Sequence, residues 1–234
     1  MKVLALDTSS NVASIAILED HKLLAEYLLN NKKTHSRKLM PAITRIFKDI
    51  ELVPQDIDIF AVSVGPGSFT GLRIGVTVAK SLAYSLNKPV VGVNTLDALA
   101  NNVFINDSAI CPIIDARNEQ VYTAIYLRNN KNIERTSEYM GINIHKLLKD
   151  VKNLKKHVVF LGDGIFIYNE LIKNELGEKC SFMPGFLNMQ RASCVAQIAL
   201  DKASDGLKES CFEMVPFYLR KSQAERIYEE TKKE

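Results

Sequence analysis

The stretch KVLALDTSSNVASIAILEDHKLLAEYLL (Lys2–Leu29) holds three short apolar runs. They are Lys2–Leu6, Val12–Leu18 and Lys22–Leu29, separated by Asp-Thr-Ser-Ser and by Glu19-Asp20-His21. Runs rich in Val, Leu and Ile between polar turns read as strands, and three in succession form a meander. Thr34–Ile50 then changes period, with Leu39, Ile43, Ile46, Phe47 and Ile50 on one helical face. Pro41 is expected to kink that helix or to mark its start. Ile57–Val64 reads as the next strand, followed by a helix reaching Leu86 and a short strand at Pro89–Val93.

Near residue 110 the pattern restarts. Cys111-Pro-Ile-Ile-Asp115 echoes Leu4-Ala-Leu-Asp7, and Val121–Leu127 echoes Val12–Leu18. A turn at Arg128–Lys131, a third strand, a helix near Ile144–Lys152, a strand at His157–Leu161 and a helix at Phe166–Leu176 complete the second round. A strand-strand-strand-helix-strand-helix order met twice is an internal repeat. Strands alternating with helices imply mixed sheets covered by helices. The expected fold is therefore α/β, a duplicated actin-like architecture of two lobes, with residues 1–104 and 105–219 as the lobes and 220–234 as a charged tail, mobile or ordered by a partner.

At 234 residues the chain can bury a proper core, and 47% apolar residues fit an ordinary globular protein. A net charge of only +3, with both signs interspersed, argues against binding nucleic acid by bulk electrostatics. Cys111, Cys180, Cys194 and Cys211 are widely spaced, with no CxxC pair, so reduced thiols are expected rather than zinc or disulfides. No run approaches 18 apolar residues, and the expectation is a soluble cytoplasmic protein with no membrane contact.

Gly65-Pro-Gly67-Ser-Phe-Thr-Gly71 leads from a strand into a helix, as phosphate-binding loops do. Its G-x-G-x-x-x-G spacing is one residue off the dinucleotide fingerprint, and no G-K-[ST] follows. In the helix, Arg73, Thr77, Lys80, Ser81 and Tyr84 share one side, while Gly71, Gly75, Ala79 and Ala83 recur every fourth residue as a nearly bare ridge. Glycine inside a helix costs about 1 kcal/mol relative to alanine, so a second backbone is expected to lie close. Either the chain's own sheet or a partner's helix would serve.

His35 has Leu39 where a metal-binding H-x-x-x-H helix would carry its second ligand, so it reads as a cap or surface residue. Asp7 and Asp115 close the first strands of the two repeats, where an actin-like kinase places its phosphate loops. Such loops want glycine directly after the aspartate, so that the backbone can approach phosphate. Here Thr8-Ser9-Ser10 and Ala116-Arg117 follow, and the nucleotide site reads as degraded. Gly162-Asp-Gly164 suits either an adenosine-side turn or a plain one, and the lysines at 146, 149, 152, 155 and 156 read as a solvated face.

Taken together, LALDTSS, H-x-x-x-L-M-P at His35–Pro41, GPGSFTGLRIGVTVAKSLA at Gly65–Ala83, IDARNEQVY at Ile114–Tyr122 and PFYLRKSQAE at Pro216–Glu225 resemble the TsaB (YeaZ) family. The resemblance implies a duplicated actin-like (ASKHA, ribonuclease H-like) fold and a non-catalytic subunit of the bacterial machinery that makes threonylcarbamoyladenosine in tRNA. It implies a homodimer in isolation, and pairing of the N-terminal lobe's helices with a TsaD-like catalytic subunit, joined by a TsaE-like ATPase. That enzyme transfers threonylcarbamoyl from its adenylate to N6 of the adenosine beside the anticodon, in tRNAs reading codons that start with A; tRNA is met through the complex. No intrinsic cofactor or metal is implied, with ATP or ADP only at a shared interface. The resemblance tips the bare ridge toward a partner. The expected contacts are His35, Leu39 and Ile43 on one helix and Gly71, Arg73, Gly75, Ala79 and Ala83 on the other. Such an interface buries on the order of 1,000 Å² or more, and Gly75→Leu is expected to abolish it while leaving the fold largely intact. The rival reading is an independent actin-like ATPase or small-molecule kinase, opposed by the missing phosphate-loop glycines.

Overall fold

A computed structural model describes residues 1–30, 35–129 and 132–220. The first half opens with strands β1 (Lys2–Asp7), β2 (Val12–Glu19) and β3 (Lys22–Asn30), then helix α1 (His35–Asp49), strand β4 (Ile59–Gly65), helix α2 (Phe69–Leu86), strand β5 (Val90–Asn94) and helix α3 (Thr95–Ala100). The five strands form one sheet in the order β3-β2-β1-β4-β5. The meander is antiparallel, with Leu4 opposite Ile17, and the crossover strands β4 and β5 are parallel. The helix α1 begins six residues before Pro41 and runs through it, so Pro41 does not mark its start.

Local chemistry sets these boundaries. Ser68 caps α2 through its hydroxyl, and Asn87 ends it in the left-handed conformation that asparagine tolerates. Asn94 caps α3 in the same way by accepting from the Leu96 N–H at 2.9 Å.

The second half holds strands β6 (Ala109–Asp115), β7 (Gln120–Thr123), β8 (Tyr126–Asn129), β9 (Asn132–Arg135) and β10 (Met140–Asn143). Helix α4 (Ile144–Lys152), strand β11 (Val158–Leu161), helix α5 (Ile165–Leu176), strand β12 (Cys180–Phe182) and helix α6 (Ala192–Ser204) follow. Its sheet order, β10-β7-β6-β11-β12, repeats the first with the same parallel and antiparallel pairs. The expected single strand at Val121–Leu127 is corrected to two. β7 pairs with Ile113–Asp115, and β8 pairs with Ala109 and Ile110 at the other end of β6. Thus β8 and β9 are an inserted hairpin, and the third strand of the repeat is β10. Arg128 belongs to β8 rather than to a turn. The expected helix start at Thr34, turn end at Lys131 and tail beyond Arg220 lie outside the described residues.

β1 is buried on both faces. Leu4 and Leu6 pack with Ile46 of α1 and Ala79 and Ala83 of α2, whereas Val3 and Ala5 pack with Val195, Ala196 and Ala199 of α6. So α6, within the 105–219 range, covers the first sheet. In exchange, α3 of the first half buries Leu96, Leu99 and Ala100 in the second core. The last helix of each half thus packs in the other, tying the halves together.

Candidate functional site

The turn after β1 stands where a phosphate loop would, and its polar groups are engaged inside the chain. Thr8 Oγ1 donates to the Gly71 carbonyl at 2.7 Å, and the Ser9 N–H and hydroxyl both donate to Asp7 Oδ1, at 2.9 and 2.7 Å. The Ser9 carbonyl accepts from the Ser68 N–H at 2.7 Å, and the Ser10 hydroxyl donates to Gln190 Oε1 at 2.8 Å. Asp7 is fully buried and also accepts from the Ser63 hydroxyl. Burial pushes its carboxyl upward, against the pull of those donors.

The glycines explain why the turn fits. A β-carbon at Gly67 would stand 2.3 Å from the Ser9 carbonyl oxygen, and one at Gly75 2.4 Å from Thr8 Oγ1. The expectation that Gly71, Gly75, Ala79 and Ala83 meet a partner is therefore corrected. All four are buried within their own lobe, because the β1–β2 turn and the sheet already occupy the space beside the ridge. Gly75→Leu should damage the fold rather than a partner contact.

His35 also turns inward. One ring nitrogen, Nε2, bonds the Ser10 carbonyl at 2.7 Å, and Nδ1 is buried with no hydrogen-bond partner among the described residues. Ile43 is 3% exposed and belongs to the core, so it offers no contact surface, whereas His35 is half-buried.

The outward face lies one row over. Between α1 and α2 runs an open groove of about 430 Å³, lined by Ser36, Leu39, Met40, Thr70, Arg73, Ile74, Thr77 and Val78. Leu39, 1% exposed, forms its floor, Ile74 and Val78 are half-buried, and Met40 stands 44% exposed. Of the expected contacts, then, Leu39 and Arg73 line the groove. Met40, Ile74, Thr77 and Val78 were not anticipated. For Ile74 and Val78 the signal was available, since they are four apart and edge the apolar arc of an amphipathic helix.

A second hollow of about 400 Å³ lies across α2, against residues 214–218 of the C-terminal segment. That segment is held by the Phe217 N–H donating to the Val64 carbonyl at 2.7 Å and by Lys80 Nζ donating to the Met214 carbonyl at 2.8 Å. Tyr218 stacks on Phe69 at 4.1 Å between ring centroids and accepts from Arg73 Nε at 3.1 Å. Arg73 and Thr77 therefore form the crest between two open hollows on one helical face.

In the second half, the turn after β6 carries Arg117, Asn118 and Glu119 in left-handed backbone, with the Arg117 N–H donating to Asp115 Oδ1 at 3.0 Å. Gly162 has φ of +101° and lies against the Ile113 carbonyl, so it serves close approach of this turn to β6. Asp163 next to it accepts from the Asp115 N–H at 3.0 Å, and burial raises its carboxyl to about 6. Where the halves meet, Asp97 accepts from Tyr126 and Tyr139 at 2.8 and 2.7 Å, which satisfies both of its oxygens. Cys111 and Cys194 are pushed up to about 12 by burial, which makes them poor nucleophiles. Among the described residues no three His, Cys, Asp or Glu side chains are grouped to hold a metal, and no helix is long and apolar enough to cross a membrane.

Residues 22–228 match the family model described as TsaD, tRNA N6-adenosine threonylcarbamoyltransferase. The Bacillus subtilis tRNA threonylcarbamoyladenosine biosynthesis protein TsaB is 36% identical over the full length of both chains. Among solved structures, YeaZ from Pseudomonas aeruginosa superposes with a TM-score of 0.77 at 23% identity, covering 93% of this chain and 99% of that one. Component A of (R)-2-hydroxyglutaryl-CoA dehydratase from Acidaminococcus fermentans gives 0.51 at 12% identity over 87% of this chain and 99% of its own. These likenesses fit the duplicated actin-like fold expected from the repeat. With its full-length identity to TsaB, the chain belongs to the TsaB (YeaZ) family of tRNA threonylcarbamoyladenosine biosynthesis proteins.

Proposed function

We propose that this chain is a non-catalytic subunit of the threonylcarbamoyladenosine machinery, docking a TsaD-like catalytic subunit in the groove between α1 and α2 and holding it ready for transfer to tRNA. The observation that carries the reading is the groove itself: a buried Leu39 floor, half-buried Ile74 and Val78, and an exposed Met40 at its lip. Large apolar side chains left half-covered along a helix pair are what an interface core needs. In this reading the chain works in the cytoplasm, a TsaE-like ATPase joins the pair, and tRNA is met through the complex. A second copy of the chain is the competing occupant, giving a homodimer in isolation.

The engaged turn after β1 supports the non-catalytic half of the reading. Ser9 and Thr8 give their hydrogens to Asp7 and Gly71, so a phosphate entering there would have to break bonds already made. An adenine nucleotide would instead sit at a boundary shared with the partner. The test is co-purification with the TsaD-like enzyme. Thr77→Trp, at an exposed position in the groove, should abolish pairing while leaving the fold intact. Undiminished pairing would rule out the groove, and micromolar binding and turnover of Mg-ATP by the isolated chain would favour the kinase-like alternative.

A further inference from the structure

The hairpin of β8 and β9 is an addition to the repeat, and one of its faces carries two arginines. Residues directly opposed across antiparallel strands point to the same side. Tyr126 is opposed to Arg135 in this way, and Arg128 to Ile133. Alternation along β8 puts Tyr126 and Arg128 on one side, so the four share a face. Where that face meets α3 and α6 there is an open cleft of about 500 Å³, within the range that holds small ligands. The hairpin supplies Ile133 and Arg135 to one wall, and α6 supplies Ile198 and Asp201, one turn apart, to the other. Asp97 of α3 also lines the cleft, with Tyr126 and Tyr139 donating to its two oxygens.

Each wall's charge is engaged within its own element. Arg135 lies over the Tyr139 ring at 4.1 Å, and its Nη1 donates to the Ser137 carbonyl. Its ion-pair partner is Glu138 at 3.8 Å, whose side chain is 94% exposed, and such surface pairs contribute little. The stack holds the guanidinium's planar fork in place, a shape that suits a carboxylate. Beside it on the hairpin face, Arg128 is 5% exposed and lies 4.5 Å from the Phe104 ring. Its Nε is buried with no hydrogen-bond partner among the described residues. A buried cation without an anion is costly, so the hairpin side is short of negative charge. On α6, Asp201 accepts from Gln197 Nε2 at 3.2 and 3.4 Å, and a neutral amide leaves the carboxylate's charge in place. The cleft is thus positive on the hairpin side, negative on the α6 side and aliphatic on both. We propose that it binds a small zwitterion of the α-amino acid class, with the carboxylate on Arg135, the ammonium on Asp201 and an aliphatic side chain against Ile133 and Ile198. Because α6 covers the first sheet and the hairpin extends the second, the ligand bridges the two halves of the chain.

The site shares no residue with the α1/α2 groove, so the two readings stand or fall separately. Titration calorimetry of the full chain with L-leucine, L-isoleucine and L-valine should show saturable binding at micromolar to millimolar concentration. Isoamylamine is leucine without its carboxylate, and isocaproate is leucine without its ammonium. Each should bind about tenfold or more weakly than leucine, because each leaves one charged partner unmet. Arg135 and Asp201 are both exposed, so their neutral variants should keep the fold, which the melting temperature checks. Arg135→Gln should weaken leucine and isocaproate about tenfold and leave isoamylamine unchanged. Asp201→Asn should weaken leucine and isoamylamine and leave isocaproate unchanged. No saturable binding of any of the three amino acids overturns the proposal. So does leucine binding that neither variant weakens, or isoamylamine or isocaproate binding as tight as leucine.

Discussion

A β-carbon placed on Gly71 would stand 2.0 Å from the carbonyl oxygen of Thr8. No real β-carbon approaches that closely, and the atom met is backbone, so the α2 helix and the β1–β2 turn can pack only with glycine there. Gly71→Ala should therefore destabilise by about 1–3 kcal/mol or more, as overpacking of a tight core does. Thermal unfolding of the variant checks this, and an unchanged melting temperature would contradict the packing.

Glu26 of β3 ties α6 to the first sheet. Oε1 accepts from the Ser193 N–H and hydroxyl at 3.0 and 2.7 Å, and Oε2 accepts from Arg191 Nε at 3.1 Å. The carboxylate thus serves the first turn of α6, where negative charge is favoured. Its side chain is 7% exposed, whereas Arg191 is 33% exposed and keeps some contact with water. Glu26→Ala should cost about 2–3 kcal/mol, below the full penalty of a broken buried pair. Chemical denaturation should show the loss as a lower midpoint.

The repeat was legible because β1 and β6 end in matching aspartates and their neighbours keep the period of strands. The swapped helix α6 was not. Its buried face is Ala192, Val195, Ala196, Ala199, Leu200 and Ala203, four of the six alanine, set against Ala5, Ala16 and Ala61 among others of the sheet, and small residues give little periodic contrast. The inserted hairpin was hidden for another reason. Val121–Leu127 is apolar enough for one strand, and only the separate bonding of β7 and β8 to the two ends of β6 divides it. On α2 the row singled out from the sequence is buried in the chain's own fold, and the open side of the helix lies one row over. Gly71, Gly75, Ala79 and Ala83 mark where a backbone comes close, and periodicity alone does not say whose backbone that is. The side chains in Ile74 and Val78 report the open side, because large apolar residues left half-covered need another surface.

Asp163 should leave a signature in the pH dependence of stability. Its native carboxyl is raised to about 6 from an ordinary 3.8, so the folded state holds the proton more tightly than the unfolded one. Stability is then greatest below the unfolded value and falls as pH rises from about 4 to about 6, by on the order of 2–3 kcal/mol. The raised Asp7 carboxyl acts in the same direction. Asp163→Asn keeps an oxygen for the Asp115 N–H, so it should flatten the fall and gain stability at pH 7. An equally steep profile in the variant would exclude Asp163 as its source.

Tyr218 and Phe69 should report on the C-terminal segment. The stacked rings, with Arg73 at their edges, fix residues 214–218 beside α2. Tyr218→Ala removes the stack and the Arg73 bond, at a cost of about 1–2 kcal/mol. Hydrogen exchange should then quicken at the Phe217 amide, whose bond to the Val64 carbonyl holds the segment, while the β1 amides stay protected. Unaltered exchange at Phe217 would mean that the stack does not hold the segment down.

Reconstitution of tRNA modification from purified components tests the central claim, using the TsaD-like enzyme, the TsaE-like ATPase with ATP, threonylcarbamoyl adenylate as the donor and a tRNA that reads codons starting with A. Threonylcarbamoyladenosine should form when this chain is added and fail to form without it or with Thr77→Trp in its place. Equal product in the chain's absence, or product made by this chain alone, would contradict a docking subunit that activates its partner through the α1/α2 groove.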